Sequence, residues 1–315
     1  MATTISRSEP ARTGGNLMLM ATAVMAIILA LAPVAGIYPV FVMKALCFAL
    51  FACAFNLLLG FGGLLSFGHS MFLGTAGYVC AYAAKSWGLT PELAILLGTI
   101  AAAALGTLVG ALAIRRQGIY FAMITLAVAQ MMYFFYLQTP FSHGEDGIQA
   151  VPRGRLFGLI DLTNPYAMYY TVLVIFLLAF LFIYRVIHSP FGQVLKAIRE
   201  NEPRAISLGY DADRYKLIAF VLSATLAGLA GATKAIVFQL ASLTDVHWTM
   251  SGEVVLMTLL GGMGSIMGSI LTGFGLGVVE GLTKYFYPEA SNTVIFVVMV
   301  IVLMFRPAGL FGRER

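Results

Sequence analysis

Asn56, Ser66, His69 and Ser70 gather around one glycine-rich run, Gly60-Phe61-Gly62-Gly63-Leu64-Leu65-Ser66-Phe67-Gly68-His69, in an otherwise apolar stretch. Their polar atoms have two uses there. They can line a passage for a zwitterion, or they can hydrogen-bond the backbone groups that the glycines release from a helix. A second run, Gly261-Gly262-Met263-Gly264-Ser265-Ile266-Met267-Gly268, stands in the other half of the chain. Paired breaks of this kind point to a transport pathway, although the same glycines also permit close helix packing. His69 lacks a histidine or carboxylate partner at ligand spacing, and Cys47, Cys53 and Cys80 form no ligand pattern, so no metal site is expected. H-E-x-x-H, G-x-S-x-G and G-x-x-x-x-G-K-[ST] are all missing. The chain reads as no enzyme, and a pump built from it must borrow its ATPase.

A polar island, SPFGQVLKAIRENEPRAISLGYDADR, runs from Ser189 to Arg214 between apolar blocks at 166–187 and 215–240. Blocks of that length cross a bilayer, so the island lies at a membrane face or projects into water. Lys196, Arg199, Arg204 and Arg214, with Lys216 just past its end, put that face in the cytoplasm. The island is suited to dock a soluble cytoplasmic partner; a solvated amphipathic helix at the interface is the other reading.

The elements that must carry these residues are membrane spans. With 60% hydrophobic and 10% charged residues and a mean hydropathy of +0.90, a soluble domain of 315 residues could not hide its apolar surface. Apolar blocks fall at 17–36, 37–59, 70–87, 93–114, 118–139, 166–187, 215–240, 252–262, 266–287 and 292–306. This predicts an all-α, polytopic membrane bundle of about nine or ten spanning or half-spanning helices, forming one integral domain over 1–315. Glu253 to Leu260 suits a half-helix. A cleaved signal peptide competes for the N-terminus, because Arg7 and Arg12 precede an apolar run ending in Ala30-Leu31-Ala32; Pro33 is a poor cleavage context, so the run is kept as the first span. Threading the blocks alternately, with both termini in the cytoplasm, leaves only Lys85, Arg153, Arg155 and Lys284 of the 19 basic residues outside. Lys44 and Lys234 fall within spans, as snorkelling or pairing residues, and Glu280 and Lys284 are spaced for an ion pair. The net charge of +5 sits at span ends and is no nucleic-acid footprint.

Taken in order, a set of short motifs resembles LivM-type permeases of bacterial branched-chain amino acid ABC importers over nearly the whole length. They are Phe55-Asn56-Leu57 with Gly60, Gly63 and Ser66-Phe67-Gly68-His69; Gly118-Ile119-Tyr120-Phe121-Ala122 with Thr125-Leu126; and Gly144-Glu145-Asp146-Gly147-Ile148. Ser189-Pro190-Phe191-Gly192, Ala197-Ile198-Arg199-Glu200-Asn201-Glu202, Gly261-Gly262-Met263-Gly264-Ser265 and Arg306-Pro307-Ala308-Gly309-Leu310 follow. The resemblance implies an inner-membrane permease that pairs with a LivH-like permease, two ATP-binding subunits and a periplasmic binding protein, and moves substrate by alternating access. ATP and Mg belong to the partner subunits, and membrane lipid is the remaining contact. Residues 189–214 become the coupling loop with its coupling helix, through Ser189, Pro190, Phe191, Gly192, Arg199 and an E-x-x-A-x-x-x-G pattern at Glu202, Ala205 and Gly209. On one helix, Ala205 and Gly209 would share a small face on which a partner's cleft could close. Pro203 starts that helix near Glu202. The implied pathway takes in Asn56, Gly63, Ser66, His69, Thr125, Gly261, Gly262 and Gly264. Leucine, isoleucine and valine are the default substrates, with urea, short amides or other amino acids as alternatives. A stand-alone channel or secondary transporter is the competing class, poorly supplied with membrane acids for ion coupling.

Overall fold

Prolines open several helices, because a first-turn N–H has no intrahelical acceptor and is not missed. Pro39, Pro91 and Pro165 start α2 (Pro39–Asn56), α4 (Pro91–Ala113) and α6 (Pro165–His188). The computed structural model describes residues 24–33, 36 and 38–286 and, towards the C-terminus, 297, 300–302, 304–306 and 309–311. Residues 24–31 form α1, and α3 (His69–Ser86), α5 (Ile119–Gln138), α9 (Ala212–Phe238), α10 (Trp248–Gly261) and α11 (Ile266–Phe286) complete the transverse helices. The chain is a polytopic helical bundle. Five of its helical stretches are long and apolar enough to cross a membrane: Pro39–Phe61, Pro91–Ala113, Ile119–Gln138, Pro165–His188 and Ala212–Phe238. Glu280 and Lys284, spaced for an ion pair, lie outside the residues whose side chains are described.

Small residues set the packing. α3 and α4 lie along α9, and α2 lies between α9 and α11. A Cβ at Gly98 would sit 2.5 Å from the Ala76 carbonyl, one at Gly106 2.6 Å from Ala224 Cβ, and one at Gly273 2.8 Å from Ala49 Cα. Backbones that close gain dispersion contact that lipid tails cannot supply. α2 is the axis of this core, 94% buried over its most apolar window, against 33% for α4 and 28% for α5. Leu96, Ile100, Leu108, Met123, Val174 and Leu178 remain exposed on α4, α5 and α6, which is where lipid or another subunit belongs.

Interhelical loops sort to two ends. At one end, Gln117 between α4 and α5 donates to Glu202 at 3.0 Å in the loop between α6 and α9. At the other, Lys85 donates to the Gln149 carbonyl at 2.8 Å and Phe157 N–H to Glu92. There β1 (Ile148–Gln149) pairs antiparallel with β4 (Leu240–Ala241), and β2 (Arg155–Leu156) with β3 (Ile160–Asp161). Two departures from the sequence reading matter below. α10 begins at Trp248, a full turn before the expected half-helix, because Asp245 to His247 fold inward and His247 caps its first turn. The polar island holds two helices, α7 (Pro190–Glu200) and α8 (Glu202–Ser207).

Candidate functional site

The first break starts inside α2. Its last turn widens into a π-helix, Leu57–Phe61, and Gly63 then turns the chain at φ +70°. Residues 63–68 run back into the bundle without helix before α3 begins at His69. Side chains take up the freed backbone. Thr125 Oγ1 accepts Phe67 N–H at 3.2 Å, Ser66 Oγ accepts Gly68 N–H at 3.3 Å, and Ser251 Oγ accepts Ser70 N–H at 2.8 Å. His69 Nε2 lies 2.8 Å from Ser223 Oγ, whose own proton goes to the Ala54 carbonyl at 2.6 Å, so the imidazole is the donor. Phe55, Phe72 and Phe220 enclose the ring edge-on at 4.9, 5.5 and 5.9 Å. Asn56, Ser66, His69, Ser70 and Thr125 are all buried in this state. Asn56, Ser66 and Thr125 satisfy backbone groups here, while the side chains of His69 and Ser70 pair with the hydroxyls of Ser223 and Ser251.

The second break is a tight turn between α10 and α11. Gly262 (φ +92°) and Gly264 (φ +83°) adopt the left-handed region that glycine tolerates. Gly261, at the end of α10, packs so close that a Cβ there would lie 2.6 Å from the Gly268 carbonyl carbon. Asn56 joins the two breaks. Its Nδ2 donates to the Ser265 carbonyl and its Oδ1 accepts Gly264 N–H, both at 3.1 Å. A Cβ on Gly60 would be 2.6 Å from Gly264 N.

α7 lies across this junction. Arg199 Nη1 donates to the Gly60 carbonyl, and its stem covers Gly63, where a Cβ would meet Arg199 Cγ at 2.9 Å. Lys196 stands 5.3 Å over the Phe61 ring. A cavity of about 400 Å³ opens beside the turn, between His188, Lys196, Met263 and Ser265. Ser189-Pro190-Phe191-Gly192 builds the corner that aims α7. Ser189 caps by accepting Gly192 N–H at 3.4 Å, Pro190 takes the first turn, and Phe191 stacks on Tyr215 at 5.5 Å. Gly192 passes so near α6 that a Cβ would sit 2.6 Å from the Ile187 carbonyl carbon.

α8 departs from the expected docking face. Pro203 sits in its first turn, as the sequence predicts, and Asn201 caps it, but Ala205 and Gly209 share no helix face. Ala205 is buried against Ile198 and Ala212. Gly209 lies beyond the helix at φ +91°: its N–H bonds the Ile206 carbonyl at 2.9 Å and Tyr210 N–H bonds the Ala205 carbonyl at 3.2 Å. That pair of bonds is the Schellman ending, which requires a left-handed residue at this position. Glu202 also turns inward, to Lys216 at 2.5 Å, with side chains 21% and 5% exposed. What the loop presents outward is a tip: Ile206 55%, Leu208 70% and Tyr210 40% exposed, with nothing among the described residues within 4 Å of a Cβ on Gly209. Sequence reasoning missed Ser223, Ser251 and Lys196. A lone serine beside apolar residues carries no local signal, and the partners of Ser223 and Ser251 are 154 and 181 residues away.

The sequence matches the family of branched-chain amino acid transport system permease components over residues 37–303. It is 30% identical over 283 residues to the high-affinity branched-chain amino acid transport system permease protein LivM of Escherichia coli K12, covering 82% of this chain and 66% of that one. The chain therefore spans just under two thirds of the length of that relative. It is 25% identical over 284 residues to the corresponding permease protein BraD of Pseudomonas aeruginosa, covering 84% and 92%. A shorter match, 30% over 127 residues, is to the permease protein LivH of Salmonella typhimurium, covering 40% and 41%.

Proposed function

Because the chain belongs to the family of branched-chain amino acid transport system permease components, we propose that it is a membrane subunit of an ATP-driven importer that carries leucine, isoleucine or valine from a periplasmic binding protein into the cytoplasm. A LivH-like permease completes the membrane part; the partial match of this chain to LivH fits two related subunits meeting face to face. Two soluble ATP-binding subunits supply the energy. The α7–α8 end faces the cytoplasm, in keeping with Arg115, Arg116, Arg185, Lys196, Arg199, Arg204 and Arg214 at that end.

The observation that carries this reading is the apolar tip 206–210, standing in water on a corner that is itself clamped to the breaks. Exposed Leu and Ile on a rigid turn serve to fill a partner's cleft. ATP binding would move the tip; α7 would carry the motion through Arg199 to Gly60, and from there to the α10–α11 turn. Leu208→Asp tests it. Docking predicts that the ATP-binding subunits no longer co-purify and leucine uptake collapses, while the permease keeps its melting temperature. Full uptake with Asp at 208 sinks the docking role, and a wild-type complex that imports urea but no leucine sinks the substrate.

A further inference from the structure

We propose that Lys234, Asp245 and Tyr78 form a binding site for the α-amino acid zwitterion in the periplasmic half of the bundle; this rests on the importer reading above. Lys234, in the last turns of α9, pairs with Asp245, and the two side chains are 16% and 13% exposed. Asp245 reaches that depth because its turn folds down onto α3, where a Cβ on Gly74 would be 3.0 Å from Val246 Cα. Lys234 Nζ also stands 5.1 Å from the centroid of the Phe48 ring on α2.

An ion pair at such a place gains little stability, since stripping water from two charges offsets their attraction. Nor is it needed to hold the loop. β1 already pairs with β4, Arg153 donates to the Val237 carbonyl at 2.8 Å, and Gln239 donates to the Val151 carbonyl at 3.1 Å. Tyr78 lies one turn beyond Gly74 on the same face of α3, wholly buried, and its hydroxyl has no hydrogen-bond partner among the described residues. A buried donor without an acceptor is costly. An amino acid zwitterion answers both features: its ammonium takes Asp245, and its carboxylate takes Lys234 and the Tyr78 hydroxyl. Exchange of the internal pair for the substrate leaves no charge unpaired, while Phe48 offers an apolar wall to an aliphatic side chain. The pair is thus a lock that the right ligand opens.

The test uses the complete importer in proteoliposomes, with ATP inside and binding protein and radiolabelled leucine outside. Wild-type uptake comes first, because its failure would indict the importer reading and leave the site out of question. Lys234→Met with Asp245→Leu keeps volume and removes both charges; a structural pair predicts retained uptake. A substrate site predicts a loss of about tenfold or more at unchanged complex yield and ATPase rate. The charge swap, Lys234→Asp with Asp245→Lys, restores a pair but sets the wrong charge opposite Tyr78, so uptake should stay low. Asp245→Asn, the mildest change, covers the case where neither double variant assembles. Uptake within about twofold of wild type in any of the three that assembles overturns the proposal.

Discussion

The two glycine breaks read alike in the sequence and are built differently. The second is four residues long, Gly262 to Ser265, and its shape is set by backbone angles that few residues but glycine tolerate. The first is a longer descent, from Gly63 to Gly68, with one left-handed glycine and its backbone held by hydroxyls from α5 and α10. One break is a hinge of limited reach, and the other is a strap whose shape depends on distant side chains. Asn56 and Arg199 are where they meet, so movement of α7 can reach both.

The largest effect should follow from cutting Asn56. Asn56→Leu leaves the half-buried Gly264 N–H without its acceptor and takes the Nδ2 donor from the Ser265 carbonyl, which keeps Ser269 N–H, a cost of about 2 to 3 kcal/mol. Less assembled complex and a lower unfolding temperature, measured in detergent, are expected. Were the breaks independent, Asn56→Leu would be as mild as an apolar swap elsewhere in α2.

Thr125→Val comes next. It keeps shape and removes the acceptor of Phe67 N–H, which should cost about 1 to 2 kcal/mol and loosen the strap alone. Thr125→Ser should restore it. Hydrogen exchange at residues 63–68 measures the loosening, and equal exchange in Thr125→Val would mean that packing, not the hydroxyl, holds the strap.

Much of this was legible. Among the described residues the apolar blocks at 37–59, 93–114, 118–139 and 166–187 agree with the helices within a few residues, and Pro39, Pro91, Gly118 and Pro165 stand at their starts. Pro203 announced the start of α8. Its end was misread because E-x-x-A-x-x-x-G fits a helix face by spacing, while glycine three residues past Ile206 fits an ending equally well; only the φ of Gly209 decides. The start of α10 was hidden by His247, Trp248, Thr249 and Ser251, which read as loop and serve as cap and strap anchor. For Lys234 the sequence leaves snorkelling and pairing both open, and Asp245, eleven positions on, supplies the pair.

Arg199→Met should have the smallest effect on stability and the most telling one on coupling. The side chain lies at the surface, so its bond to the Gly60 carbonyl contributes on the order of 1 kcal/mol, screened by water. Methionine keeps the stem over Gly63 and loses the guanidinium. If Arg199 carries the motion of α7 into the junction, Arg199→Met leaves complex yield and ATP hydrolysis near wild type but lowers leucine delivered per ATP, and Arg199→Lys recovers part of it because one donor can still reach the carbonyl. A purely structural arginine would lower yield, hydrolysis and uptake together, and lysine would rescue them in parallel. An unchanged ratio of uptake to hydrolysis would therefore separate the two breaks from α7, and leave the hydrogen bonds of Asn56 and the close approach of Gly60 to Gly264 as what ties them together.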